Sequence, residues 1–189
     1  MSWPRRLWSS TAGTGSAATT SRLAALAAAL ALAGCGEGPE APAPLRGFPG
    51  PGDAVEARVE RVTDGDTVRL DRIGRVRLIG VDTPEVFGGV ECYGREASAF
   101  VKRLLPPGSR VRYRLGLEER DRYGRALAYL WLDDGRMLNG LLAEEGYALP
   151  LSIAPNVDFA ERFVAAARRA RERGRGLWAD SSCVDMLGA

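Results

Sequence analysis

Histidine is absent from the 189-residue chain. That excludes every mechanism needing imidazole as base, nucleophile or metal ligand, so Ser-His-Asp triads, Cys-His dyads and histidine-zinc sites are out. Lysine is nearly absent too, with Lys102 the single one among 26 basic residues; the rest are arginines, a bias that base composition alone can produce. Cysteine occurs three times, at 35, 92 and 183. No apolar run is long enough to span a bilayer: the longest, Leu23–Ala33, has 11 residues. A strong net charge is also missing. The formal +2 comes from Arg5, Arg6 and Arg22 at the N-terminus, and the remainder carries one more acidic than basic group. Bulk charge therefore makes no case for nucleic acid, and any such case must rest on local placement. What remains, 46% hydrophobic and 26% charged residues, is the composition of one globular domain with attachments.

The attachments lie at the N-terminus. Arg22 followed by the short apolar stretch has the form of a secretory signal rather than a membrane span. Its end, Leu32-Ala33-Gly34-Cys35, resembles the lipobox of bacterial lipoproteins, which implies cleavage before Cys35 and acylation of its thiol. A plain secretory signal is the alternative. Residues 36–52 hold five prolines and five glycines and read as an extended tether. The expected organisation is therefore a signal segment over 1–35, a linker over 36–52, a folded domain over 53–180 and a tail over 181–189. The destination is the cell envelope or the medium. In such an oxidising compartment Cys92 and Cys183 are candidates for a disulfide, two separate buried thiols being the alternative.

Within the domain, Val55, Ala57 and Val59 alternate with Glu56, Arg58 and Glu60, the period of a half-buried strand. Residues 67–81 read as a hairpin turning at Arg72-Ile73-Gly74. Tyr93, Ala97, Phe100, Val101, Leu104 and Leu105 share one helical face, which Pro106-Pro107 ends. Val111, Tyr113 and Leu115 alternate again, and 125–132 is nearly all apolar, as in a central strand. Leu138, Leu141 and Leu142 mark a short helix before Gly146; Phe159, Ala160, Phe163, Val164 and Ala167 mark a last one before Gly174. The expected fold is α+β: a five-stranded barrel of OB type with about three helices, one inserted after the third strand.

Folding the hairpin about Ile73 sets residue 66 opposite 80 and residue 64 opposite 82, so Asp64, Asp66 and Asp82 gather at its open end. Such diagonal neighbours lie about 7–8 Å apart, within reach of one ion. Oxygen donors without imidazole or thiol suit a hard cation, Ca²⁺ or Mg²⁺. Asp64-Gly65 is also plain turn chemistry, and Thr83-Pro84-Glu85 would serve as the first residues of a helical turn. The coincidence of both across one hairpin favours the metal site. Arg77 on the same hairpin and Arg125 after Asp121-Arg122-Tyr123-Gly124 add guanidinium forks that grip phosphate oxygens. With Glu85, the set is what phosphodiester hydrolysis needs.

Four motifs then occur in one order: Val62-Thr63-Asp64-Gly65-Asp66-Thr67-Val68, Arg77-Leu78-Ile79-Gly80-Val81-Asp82-Thr83-Pro84-Glu85, Tyr93-Gly94-Arg95-Glu96-Ala97-Ser98, and Asp121-Arg122-Tyr123-Gly124-Arg125-Ala126-Leu127-Ala128-Tyr129. Together they resemble the staphylococcal nuclease (thermonuclease) family over about residues 54–178. The resemblance implies a Ca²⁺-dependent endonuclease on an OB-fold, cutting DNA and RNA and leaving 3′-phosphates; the chain is expected to be a monomer. By motif, Asp66 and Asp82 would hold calcium, with the Thr83 carbonyl. Glu85 would deprotonate the attacking water. Arg77 and Arg125 would bind the phosphate and stabilise the transition state, and Arg122 and Tyr123 would touch a terminal phosphate.

Three features depart from the family or stand outside it. The loop Val86–Val90 is shorter and less basic than in the family prototype. Leu151 and Ile153 stand where that prototype has tyrosines beside the base, which predicts weaker nucleotide binding because stacking contributes about 1–3 kcal/mol per base. The arginines at 162, 168, 169, 171, 173 and 175 look like a nucleic-acid patch but suit better the solvated face of the last helix. The rival to an enzyme is a non-catalytic, envelope-tethered OB module that grips polyanions. Retention of Asp66, Arg77, Asp82, Glu85 and Arg125 argues against it.

Overall fold

The computed structural model describes residues 47–86, 91–179, 183 and 185. The signal segment with Cys35 and most of the linker lie outside them. Strands β1 (Val55–Val62), β2 (Thr67–Leu70) and β3 (Gly74–Leu78) are followed by a short β4 (Gly80–Asp82) and helix α1 (Gly94–Leu104). Then come β5 (Arg110–Arg120), β6 (Ala126–Leu132), α2 (Leu138–Glu144), β7 (Leu149–Leu151), α3 (Ala160–Glu172) and a 3₁₀ turn at Gly176–Ala179. The strands close as β1-β2-β3-β6-β5, the expected OB-type barrel with its three helices, and β4 pairs with β7 in a separate ladder.

The alternating residues point as their period requires. Ala57, Val59, Val68, Leu70, Val76 and Leu78 are buried, while Glu56, Arg58 and Glu60 on β1 and Arg75 on β3 are exposed. β6 lies between β3 and β5, and five consecutive residues from Ala128 to Leu132 are buried. Among the described residues no helix is long and apolar enough to cross a membrane.

The expected hairpin register is corrected. The β2–β3 hairpin pairs Thr67 with Arg77 and Leu70 with Gly74, so residue 66 faces 78 rather than 80. Gly74, at φ 76°, closes a three-residue turn instead of flanking its centre, and this draws the register in by two. The hairpin also ends at Leu78. Gly80, at φ 83°, swings the chain out of the barrel, and Asp82 is carried on β4 against Leu149. A Cβ on Gly80 would lie 2.2 Å from the Phe163 ring, so α3 seats against this bend.

The described end of the expected linker also touches the domain. Two residues before Asp53 pack on the domain: Phe48 is buried against Phe163, 5.2 Å between ring centroids, and Trp131 Nε1 donates to the Pro49 carbonyl at 2.9 Å. An aromatic side chain inside a Pro/Gly tract finds a hydrophobic site and anchors the tract's end.

Candidate active site

Asp66 follows the Thr63–Gly65 turn and is 4% exposed. Its Oδ2 accepts from Thr83 N at 2.9 Å and Thr83 Oγ1 at 3.1 Å; its Oδ1 accepts from Thr67 Oγ1 at 3.2 Å. Gly65 permits this approach, since a Cβ there would lie 2.7 Å from Thr83 Oγ1. Arg77, outward on β3, pairs with Asp66 through Nη1 and with Asp82 Oδ1 through Nη2 at 2.5 Å. β4 thus brings Asp82 and Thr83 to Asp66 by a route other than the expected hairpin pairing. Asp64 Oδ1 accepts from Asp66 N at 3.2 Å. Burial raises the Asp64 carboxyl against the opposing effects of Thr67, Arg77 and Arg125. Among the described residues no three carboxylate or thiol side chains are grouped closely enough to hold an ion by themselves.

Arg125 opens β6, beside β3. Its Nε donates to Asp121 Oδ2 at 2.7 Å and its backbone N to Asp121 Oδ1 at 2.8 Å, with Tyr123 N on the same oxygen at 3.0 Å. Burial pulls the Asp121 carboxyl up, but the bonds and charge of Arg125 outweigh it and hold the group below its ordinary range. Arg122 Nη2 donates to the Tyr123 hydroxyl at 2.7 Å and lies over that ring. A cavity of about 470 Å³ opens in front of Arg77 and Arg125. Tyr123, Leu127, Leu151 and Ile153 line it, so both substituted tyrosine positions are on its wall.

Glu85 is exposed just beyond Thr83, and burial together with Asp64 raises its carboxyl, Arg77 opposing. Its backbone N donates to Glu91 Oε2 at 3.0 Å and its carbonyl accepts from Glu91 N at 2.9 Å, so the two ends of the loop are tied. Of that loop, residues 87–90 lie outside the described residues. Gly94 lets α1 abut the same backbone, because a Cβ there would be 2.6 Å from the Glu85 carbonyl oxygen. Cys92, directly after Glu91, is bonded to Cys183, with Cα atoms 5.4 Å apart. Most of the tail lies outside the described residues, but Cys183 itself is buried.

Sequence reasoning missed two asparagines. Asn139, fully buried, accepts from Leu130 N at 2.9 Å and donates to the Ile79 carbonyl at 2.8 Å, holding β6 to the bend before Asp82. Asn156 accepts from Glu118 N at 3.0 Å and donates to the Glu118 carbonyl at 2.9 Å, tying the cavity wall to β5. A solitary asparagine next to glycine or proline reads as a turn residue, so neither carried a signal.

The chain is similar to known proteins over most of its described length. Residues 75–180 match the family described as staphylococcal nuclease homologue. The chain is 42% identical over 129 residues to the thermonuclease of Staphylococcus hyicus, covering 65% of this chain and 75% of that protein. It is 43% identical over 126 residues to the thermonuclease of Staphylococcus intermedius, covering 64% and 74%. Endonuclease YhcR of Bacillus subtilis (strain 168) is 32% identical over 153 residues, 74% of this chain but 12% of that much longer protein.

Proposed function

The chain belongs to the staphylococcal nuclease family, and from that premise we propose a calcium-dependent endonuclease that hydrolyses phosphodiester bonds of DNA and RNA and leaves 3′-phosphates. The observation that carries this reading is Arg77 shared between Asp66 and Asp82 at the rim of the Arg125 cavity. Two carboxylates that reach one guanidinium stand close enough to face one cation. Oxygen donors alone, with the Thr83 carbonyl beside them, suit a hard divalent ion such as Ca²⁺. Calcium bound by Asp66, Asp82 and Thr83 would supply positive charge opposite the reacting phosphate.

The remaining roles belong to side chains. Arg77 has N–H donors beyond those its two ion pairs use, and Arg125 is pinned through Nε with its terminal nitrogens left over. Both bind phosphodiester oxygens and offset the charge that grows at phosphorus. Glu85 takes the proton of the water attacking phosphorus; the P–O5′ bond breaks, and the 5′-oxygen leaves with a proton from solvent. Arg122 and Tyr123 hold a terminal phosphate. Leu151 and Ile153 give the base a surface without rings to stack on. The site is one protein copy's own, in keeping with a monomer. The reading places the enzyme outside the cytoplasm, secreted or tethered by lipid on Cys35, and the Cys92–Cys183 bond supports an oxidising setting.

The test incubates the full chain with plasmid and with single-stranded DNA, in calcium and then in EDTA, beside Glu85→Ser. Cutting that requires calcium and falls roughly 10²–10⁴-fold in the variant is the expected result. Binding without cutting would leave the non-catalytic module, and cutting in EDTA would remove calcium from the proposal.

A further inference from the structure

The outward rows of β3 and β6 carry more cation than one phosphodiester needs. β3 and β6 run parallel with Val76 level with Ala126 and Arg77 level with Leu127, which sets Arg75 level with Arg125. Arg75 and Arg77 are two residues apart on one strand face, about 6.6 Å along the strand, a spacing comparable to that of consecutive phosphates on an extended chain. On the other side of the 121–124 turn, Arg120 ends β5 level with Ala126.

These two arginines are exposed and are spent on no carboxylate. Arg75 Nη2 donates to the Tyr123 carbonyl at 3.4 Å, and Arg120 Nη1 to the Gly124 carbonyl at 3.0 Å. Among the described residues neither forms an ion pair, although Arg69, Arg110, Arg112, Arg114 and Arg136 each do. Glu118 and Glu119 are exposed on the same strand without pairing with them. Guanidinium groups held beside one turn by neutral carbonyls keep their full charge and their remaining donors for an external anion.

We infer that Arg75 and Arg120 form a phosphate-binding strip flanking the Arg77–Arg125 cavity, which holds the nucleic-acid backbone beyond the scissile bond and makes the enzyme favour polymer over short substrate. The inference rests on the nuclease reading above. Its ligand is the sugar–phosphate chain, read without regard to base, because the contacts are charge and donor alone.

The experiment compares the full-length wild type with an Arg75→Gln/Arg120→Gln variant on a long single strand and on a dinucleotide spanning the scissile bond. Specificity is read as kcat/KM, and affinity for the long strand is read across a salt series. Each phosphate contact on a single strand adds about 0.7 to the slope of log affinity against log salt, so the double variant should lose about 1.4. At low salt the polymer-to-dinucleotide ratio of kcat/KM should fall roughly tenfold or more. Loss on both substrates in equal proportion would overturn the strip and make these arginines supports of the 121–124 turn. An unchanged salt slope would overturn it as well. Failure of the wild type to cut either substrate would sink the nuclease reading itself, a result distinct from both.

Discussion

A carboxylate as buried as that of Asp66 is tolerable only while its oxygens are bonded. Thr83 supplies two of those bonds, one from the backbone and one from the hydroxyl, and Gly65 leaves the space that admits them. The hydroxyl can be removed almost without changing shape. Thr83→Val should destabilise the calcium-free protein by roughly 1.5–3 kcal/mol, the range for a hydrogen bond to a charged group, and Thr83→Ser should recover most of it. Denaturant midpoints check both. A loss in Thr83→Ser with none in Thr83→Val would mean that methyl packing, not the hydroxyl, holds the site. At this scale the sequence was informative because acidic and basic residues recur at fixed offsets from glycines. It was uninformative about Asn139 and Asn156, whose work depends on which backbone groups the fold leaves unpaired.

The elements divide in the same manner. Alternation found most barrel strands, a continuous apolar run found β6, and Pro106-Pro107 marked the end of α1, since all three signals are local. β7 escaped because Leu149-Pro150-Leu151 is short and holds a proline, and only its partner β4 defines it as a strand. The route to Asp82 escaped for a related reason: Gly80 looks like any strand glycine until Phe163 arrives from α3.

The 121–125 turn is the element that aims Arg125, and its acidic residue gives it a pH signature. The folded Asp121 carboxyl lies below its ordinary value of 3.8 because Arg125 holds it ionised. A group depressed on folding contributes stability above its unfolded value and loses it as pH falls through the folded one. Asp121→Asn, which keeps one acceptor but cannot accept at both oxygens, should therefore be less stable than wild type at neutral pH. The gap should close as pH drops below 3.8, leaving Asp134, lowered in the same direction by Arg136, to sustain the acid sensitivity both proteins share. Denaturant unfolding along a pH series tests this, and a gap constant with pH would show that the turn owes nothing to the ionised carboxylate.

At the scale of the whole molecule, most arginines among the described residues meet a partner within the protein. On α3, Arg162 donates to the Gly47 carbonyl, Arg169 pairs with Glu144, and Arg171 lies over Trp178, consistent with a structural face. Arg75, Arg77, Arg120 and Arg125 nevertheless gather four guanidinium groups at the β3–β6 end of the barrel, although the net charge is near zero. The longest covalent constraint acts near the same end. The Cys92–Cys183 bond spans 91 residues, and on the chain-entropy model closing such a loop contributes about 4–5 kcal/mol. Because Cys92 follows Glu91, whose backbone and carboxylate both hold Glu85, reduction should loosen the loop bearing the proposed base as well as lower global stability. Denaturant unfolding with and without reductant should show the loss, and a Cys92→Ser/Cys183→Ser variant should match reduced wild type and ignore reductant. Activity measured well below the unfolding transition separates the two effects. If the reduced, still folded protein cuts at the oxidised rate, the bond stabilises the barrel without positioning Glu85.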